Sequence, residues 1–542
     1  MAAFMNWQQK GQKIMNETII IIGAGFGGLS AALTLAERDC KCVLVSRQPS
    51  ERAQSVLAEG GISGALSQDA EDIFSHYQDT MKAGCDLADS DAVRRMVQFA
   101  PEIIRQLKAL GASFQMESGT AALRKLGGHS RARTSFAGNS TGKVIMTALI
   151  DEVRKKEVLG IVKRLPHHVF ESLLLDGENC QGCIIRDYYS GQKMTLYGSV
   201  ILASGGMSGL FPGKATGGLE NDGNVTASVF RQGVELGNLE FIQYHPTAVT
   251  GAGKKLLVSE SARSYGGRLF IKRGTENWYF LEDFYGPEGN LVTRDTAVKK
   301  MQEVSEREDC ELPIYLDMSG INKKVWEEQL FELRGMCEKF LGINPQKDSV
   351  PVEPAIHYFM GGILADKNHR TNKKFLYAAG ECACQYHGAN RLGGNSILGA
   401  IYGGQKAAET AVSEIRQFKM QRIEDDTGYF SAPEAMDKAK RLGEILEKCM
   451  GIMRNEDRLR SALCELEEWF VKTDSWVIQN KLLLGIAIVK SALERRESRG
   501  AHWRADYPRE EKDFQRITVA RFEKGKVKIL FRKISEDEVD VG

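Results

Sequence analysis

Residues 17 to 22 read Glu-Thr-Ile-Ile-Ile-Ile and run without a break into Gly-Ala-Gly-Phe-Gly-Gly and then into LSAALTLAE. A short β-branched run suits a parallel strand buried on both faces, and the alanine- and leucine-rich run after it suits a buried helix. The glycines between them have GxGxxG spacing. Gly23 permits the tight turn, Gly25, beside Ala24, lets the backbone approach a pyrophosphate, and Gly28 lets helix and strand pack closely. Phosphates would rest on the helix N-terminus. CVLVS at 42 to 46 supplies a second strand and completes a βαβ unit. The acid that would bind a ribose is missing at its end, where Ser46 and Arg47 stand, and this counts against a generic NAD-binding unit. Thr18 to Ala36 is uncharged for 19 residues, close to the length of a membrane span, but its central glycines are better explained by the strand-turn-helix.

Two further strand-glycine turns follow, VILASGGMSG at 200 to 209 and FLYAAGECACQYHGANRLGGNSILGAIYGG at 375 to 404. Three separated glycine turns imply a nucleotide domain assembled from distant segments. The expected class is α/β. A Rossmann-like domain would be built from 1–242 and 348–418, with an inserted α+β capping domain at 243–347. A helical region would follow at 419–500, and a charged tail at 501–542 ending in a short KVKILFRKI strand. Glycine, at 55 of 542 residues, exceeds the usual share of about 7%, as close backbone approach requires.

Charge excludes one class of partner: 72 basic against 71 acidic residues leave +1, no footprint for nucleic acid. The eleven cysteines are odd in number and irregularly spaced, which suits a reducing cytoplasm. The single CxxC, Cys180 to Cys183, and a CxC, Cys382 to Cys384, offer too few thiolates in register for a four-ligand site. No metal site is expected, and Cys382 and Cys384 read as small buried residues. The start, MAAFMNWQQKGQKIM, lacks the apolar core of a secretory signal, and no membrane span is expected. His76 and His502 read as surface or packing residues.

Beyond the first turn, the chain carries SVLAEGGISGAL at 55 to 66, GGHSRARTSFAGNSTG at 127 to 142, FIQYHPT at 241 to 247 and SESARSYGG at 259 to 267. VTRD at 292 to 295, AIHYFMGG at 355 to 362, GANRLGGNS at 388 to 396 and ESRGAHWRADYP at 497 to 508 follow in order. Over nearly its whole length the sequence resembles the flavoprotein family of fumarate reductase and succinate dehydrogenase flavoprotein subunits and L-aspartate oxidase. The resemblance implies FAD as cofactor and a C4 dicarboxylate as substrate. It places His245, Ser259, Glu260, Arg294, His357 and Arg391 at active-site positions, with Ser259 where threonine is commoner. Arg294 would donate the proton, Glu260 with Arg263 would relay it from solvent, and Arg263 has an alternative reading as a structural ion-pair partner. By pKa alone a histidine is the easier donor, since a guanidinium normally stays charged; it ranks second. Glu381 matches the acid that binds the flavin ribitol, and Ser396, with Ile397, lies in the loop facing the isoalloxazine. Ser46, Arg47, Ser55, Gly60 and Gly61 are the remaining N-terminal cofactor positions. Ala203, Ser204, Gly205, Asp222 and Arg391 complete the cofactor set. The chemistry agrees independently of family: two arginines and two histidines match the two charges of a dicarboxylate, and holding both carboxylates polarises the double bond for hydride from flavin N5.

Two departures sharpen the reading. Aligned on Glu59-Gly60-Gly61, Gln54 stands where respiratory members have the histidine that bonds the flavin, so FAD is expected to be non-covalent and released on denaturation. In the family that bond supports succinate oxidation; its absence favours fumarate reduction or oxidase chemistry. In the aspartate oxidase branch, which shares GGHS, an acid commonly precedes that element and faces the substrate ammonium. Leu126 stands there, and an ammonium would be left unpaired, so fumarate or succinate is favoured and L-aspartate oxidase is the alternative. An iron-sulfur electron-transfer subunit is an implied partner, with a cytoplasmic location or a peripheral one at the inner face of the membrane through partner subunits. The cap is expected to close over the flavin.

Overall fold

A computed structural model describes residues 18–67, 69–251, 254–415 and 434–534. The N-terminal segment, the start of the expected helical region and the end of the tail lie outside the described residues. Ile19–Ile22 is a fully buried strand and Phe26–Glu37 a helix, with Cys42–Ser46 the second strand. They belong to a five-stranded parallel sheet in which Leu376–Ala378, Val200–Leu202, Ile19–Ile22, Cys42–Ser46 and Val162–Pro166 lie side by side in that order. The three strands that end in glycine turns are therefore neighbours, and their carboxyl ends open at one edge, where ligands of doubly wound sheets bind. Crowding there is severe: a Cβ on Gly28 would stand 1.8 Å from the Gly23 carbonyl oxygen.

The helix Phe26–Glu37 is buried on nearly every side because Asn395–Ser413 packs across it. The two helices meet backbone to backbone, with a Cβ on Gly404 placed 2.1 Å from the Gly27 oxygen.

The cap is a second sheet of six strands, ordered Lys254–Leu257, Ile242–Gly251, Val350–Phe359, Glu311–Asp317, Arg268–Arg273 and Glu276–Trp278. Its core is its own, built from residues such as Val249, Leu269, Phe280, Met301, Leu316 and Val352. The expected boundary at 347/348 falls just before Val350–Phe359, a strand that pairs on both sides within the cap sheet. The C-terminal helices Glu434–Cys449, Glu456–Lys472 and Trp476–Glu494 share one hydrophobic core with the flanks of the parallel sheet, Leu446 and Leu484 clustering with Ile20 and Val200. Trp476–Glu494 is long and apolar enough to cross a membrane by length and composition, and it is mostly buried inside this core. The tail forms a hairpin, Ile517–Glu523 with Lys526–Arg532, that extends a sheet through Leu236–Gly237. Its first strand was not expected from the charged sequence.

Because the Gly27–Gly404 contact sets the position of the helix that faces the nucleotide edge, Gly404→Ala is expected to cost about 1–3 kcal/mol by overpacking. The checks are thermal melting and the ratio of flavin to protein absorbance, both of which should fall.

Candidate active site

A cavity opens at the carboxyl edge of the parallel sheet and continues beneath the cap. Its walls include Gly23, Ala24, Gly25, Ser46, Arg47, Ser55, Gly60 and Gly61, then Ala203, Ser204, Gly205 and Asp222, and finally Glu381, Arg391, Ser396 and Ile397. Gly28, the remaining candidate, does not line it; it packs under the turn. The helix starting at Phe26 has no side-chain cap, the Phe26 N–H donates to Ser55 Oγ at 3.2 Å, and a Cβ on Gly25 would stand 2.7 Å from that oxygen. Bare backbone at a helix N-terminus fits a pyrophosphate. Further along, Arg47 pairs with Glu220 and Asp222, and Gln54 accepts from the Gly218 N–H at 2.9 Å. Glu381 accepts from the Phe359 N–H at 3.2 Å, and burial pushes its carboxyl up to about 7. The set fits FAD, with a backbone cradle for phosphates at one end and a carboxyl for a hydroxylated chain at the other.

Under the cap the cavity meets His245, Ser259, Glu260, Arg294, His357 and Arg391. Arg263 lies behind them. Glu260 is the hub: its Oε2 accepts from Arg294 Nε at 3.0 Å and Nη2 at 2.5 Å, and its Oε1 from Arg263 Nη2 at 3.3 Å. Burial alone would raise this carboxyl, but Arg294 and Arg263 outweigh it and hold it near 2. Arg263 is anchored by the Asn290 carbonyl at 2.8 Å.

The two histidines come from the paired strands that join the cap to the rest of the fold. Gln243 opposes Tyr358 while Tyr244 opposes Ile356, so His357 is the extra residue of a β-bulge; a second irregularity follows His245. Bulges re-aim side chains next to active sites, and here the two rings stand 5.2 Å apart edge to face. Burial, then Arg294, pushes both imidazoles well below their ordinary range. They are neutral hydrogen-bonding groups. The Thr247 N–H donates to His245 Nδ1 at 3.2 Å, which leaves the proton on Nε2. His357 Nδ1 is 3.0 Å from the Thr216 hydroxyl.

Three guanidiniums against the one carboxylate of Glu260 leave a surplus of two positive charges. Arg391 Nε is buried without a protein partner among the described residues, a donor available to an anion. Sequence reasoning missed Gln243, which accepts from both Arg294 and Arg391, although its place two residues before His245 on a strand was a signal. It also missed Thr216, Thr247 and Glu59; Glu59 lines the cavity beside Ser259, and burial, with Glu332, pushes its carboxyl up to about 8. His76 and His502 are buried packing residues, bonded to Asn395 and Arg454.

Burial and the charge of Arg294 bring Arg391 down to about 9. A lowered cation is lost as pH rises through that value, so dicarboxylate affinity measured by titration should fall above about pH 9, by up to about tenfold per unit. The histidines contribute no step in their ordinary range; the groups that titrate nearer neutrality are Glu381 and Glu59, pushed up by burial to about 7 and about 8.

Comparison with known proteins identifies the family. Residues 18–397 match the family model of the FAD binding domain, and residues 471–541 that of the fumarate reductase flavoprotein C-terminus. The chain is 34% identical to the succinate dehydrogenase flavoprotein subunit of Bacillus subtilis (strain 168), over 93% of this chain and 94% of that one. It is 33% identical to the L-aspartate oxidase of Pyrococcus furiosus, over 93% and 99%. Among solved structures, E. coli quinol fumarate reductase superposes with a TM-score of 0.85 at 26% identity, over 97% of this chain and 98% of that one. With a backbone cradle that fits FAD and a sequence matched from end to end, the chain is an FAD-dependent oxidoreductase belonging to the fumarate reductase, succinate dehydrogenase and L-aspartate oxidase flavoprotein family.

Proposed function

We propose that the protein interconverts fumarate and succinate, working in the fumarate-reducing direction. The observation that carries this reading is the surplus of two positive charges where the cavity passes beneath the cap, the complement of a dicarboxylate. Arg391 and the two neutral histidines hold the carboxylates, each charge-assisted bond contributing about 1.5–3 kcal/mol, and the cap excludes water from them. When bound and reduced, FAD would supply a hydride to one olefinic carbon. The neighbouring carbon takes its proton from Arg294, and the proton is restored to Arg294 through Glu260 from Arg263, which regains one from solvent. The hydrogen bonds from Arg294 and Arg263 to opposite oxygens of Glu260 support this order. A histidine donor is disfavoured because both imidazoles are neutral.

The relatives' names divide between C4-dicarboxylate enzymes and L-aspartate oxidases, so the choice rests on the residue before Gly127. Leu126 is fully buried and packs near Gly393 and the Glu260 carboxylate; it presents no partner to a substrate ammonium. The direction rests on Gln54, which cannot form the covalent flavin bond that supports succinate oxidation. Electrons would reach the flavin from a separate iron-sulfur protein or a soluble reductant.

The test is anaerobic. Flavin reduced in the purified protein should be reoxidised rapidly by fumarate, and oxidised protein should not be bleached by L-aspartate; bleaching would make it an aspartate oxidase. Arg294→Met should slow the reoxidation by about 10²- to 10⁴-fold while leaving fumarate binding measurable.

A further inference from the structure

Gln243 is fully buried behind the cavity wall, and its amide makes four directed contacts. Its Oε1 accepts from Arg294 Nη1 at 3.0 Å and from Arg391 Nη2 at 3.1 Å. Its Nε2 donates to Asn390 Oδ1 at 2.7 Å and to the Arg391 carbonyl at 2.8 Å. Asn390 is also buried and passes its own Nδ2 to Asp295 Oδ1 at 2.8 Å. The direction of this chain is fixed at both ends. An ionised carboxylate only accepts and guanidiniums only donate, so each amide has one workable orientation, with the Gln243 carbonyl toward the two cations.

Two guanidiniums sharing one acceptor repel each other, and a buried carboxylate between them would be the electrostatically simpler partner. Glu260 already fills that role for Arg294 on its other side. A second carboxylate at 243 would cancel part of the charge surplus, whereas a neutral amide orders the guanidiniums and leaves both charges for the ligand. The nearest carboxylate in this direction, Asp295, is kept two amides away.

We propose that Gln243 is a positioning and specificity-determining residue: a neutral shared acceptor that aligns Arg294 and Arg391 and, by its neutrality, makes the site select ligands with two negative charges over ligands with one. This rests on the dicarboxylate reading of the site and identifies which residue sets its charge preference.

The test compares the wild-type holoprotein with Gln243→Glu and Gln243→Met. Flavin absorbance is titrated with fumarate, succinate and malonate and with the monomethyl ester of each. Gln243→Glu keeps an acceptor of the same length and adds one negative charge. It should weaken binding of the diacids tenfold or more and of the monoesters less than threefold, so that preference for the diacid collapses. Gln243→Met removes the acceptor and should weaken diacid and monoester by similar factors. Diacid binding by Gln243→Glu within twofold of wild type, equal losses of diacid and monoester in that variant, or unchanged binding by Gln243→Met would each overturn the proposal. The variants are read independently, so failure of one to retain flavin leaves the other decisive. A wild type that binds diacids and is not reoxidised by fumarate would refute the fumarate reaction and leave this proposal standing on its binding data; a wild type that binds no diacid would refute both.

Discussion

Three guanidiniums packed into a site that excludes water are the arrangement everything else has to accommodate. Taking one charge out of water costs several kcal/mol even after relaxation, and like charges at this range repel strongly in a low dielectric. Glu260 offsets part of that cost by accepting from two of the three. Gln243 contributes a neutral acceptor shared by Arg294 and Arg391, and backbone carbonyls such as that of Asn290 take up other donors. The cap's separate hydrophobic core gives this network a rigid support that does not depend on the packing of the nucleotide domain.

The two domains are joined by the strands Ile242–Gly251 and Val350–Phe359, and these same strands carry His245 and His357. Arg294 and Glu260 belong to the cap, Arg391 to the loop before the helix Asn395–Ser413. The charged groups therefore face each other across the domain boundary, while the neutral ones sit on its seam. Any relative motion of the cap changes distances among the cations first and among the histidines least.

Much of this was legible in the sequence. The three glycine turns announced the strand ends that form the nucleotide edge, and the motifs located the histidines, the arginines and Glu260. What escaped had physical reasons. Gln243 lies inside a motif, but an amide carries no charge to flag it, and its partners are about 50 and 150 residues away. Arg263 was named, but its two readings stayed open, since three-residue spacing also describes an ordinary helical ion pair; the structure places it behind Glu260. The strand Ile517–Glu523 was hidden because its short apolar run, buried in the structure, stands between charged stretches that resemble a solvated tail.

The bulge at His357 means that this side chain reaches the cavity because its strand holds one residue more than the partner strand between the pairs Gln243–Tyr358 and Tyr244–Ile356. Part of the site is thus written in residue count and not only in residue identity. Across descendants of this chain, substitutions on the outward face of Val350–Phe359 leave the count intact and can accumulate. Gain or loss of a single residue beside the bulge would shift this register and turn the imidazole away. Alignment gaps in this strand therefore carry more functional information than mismatches do.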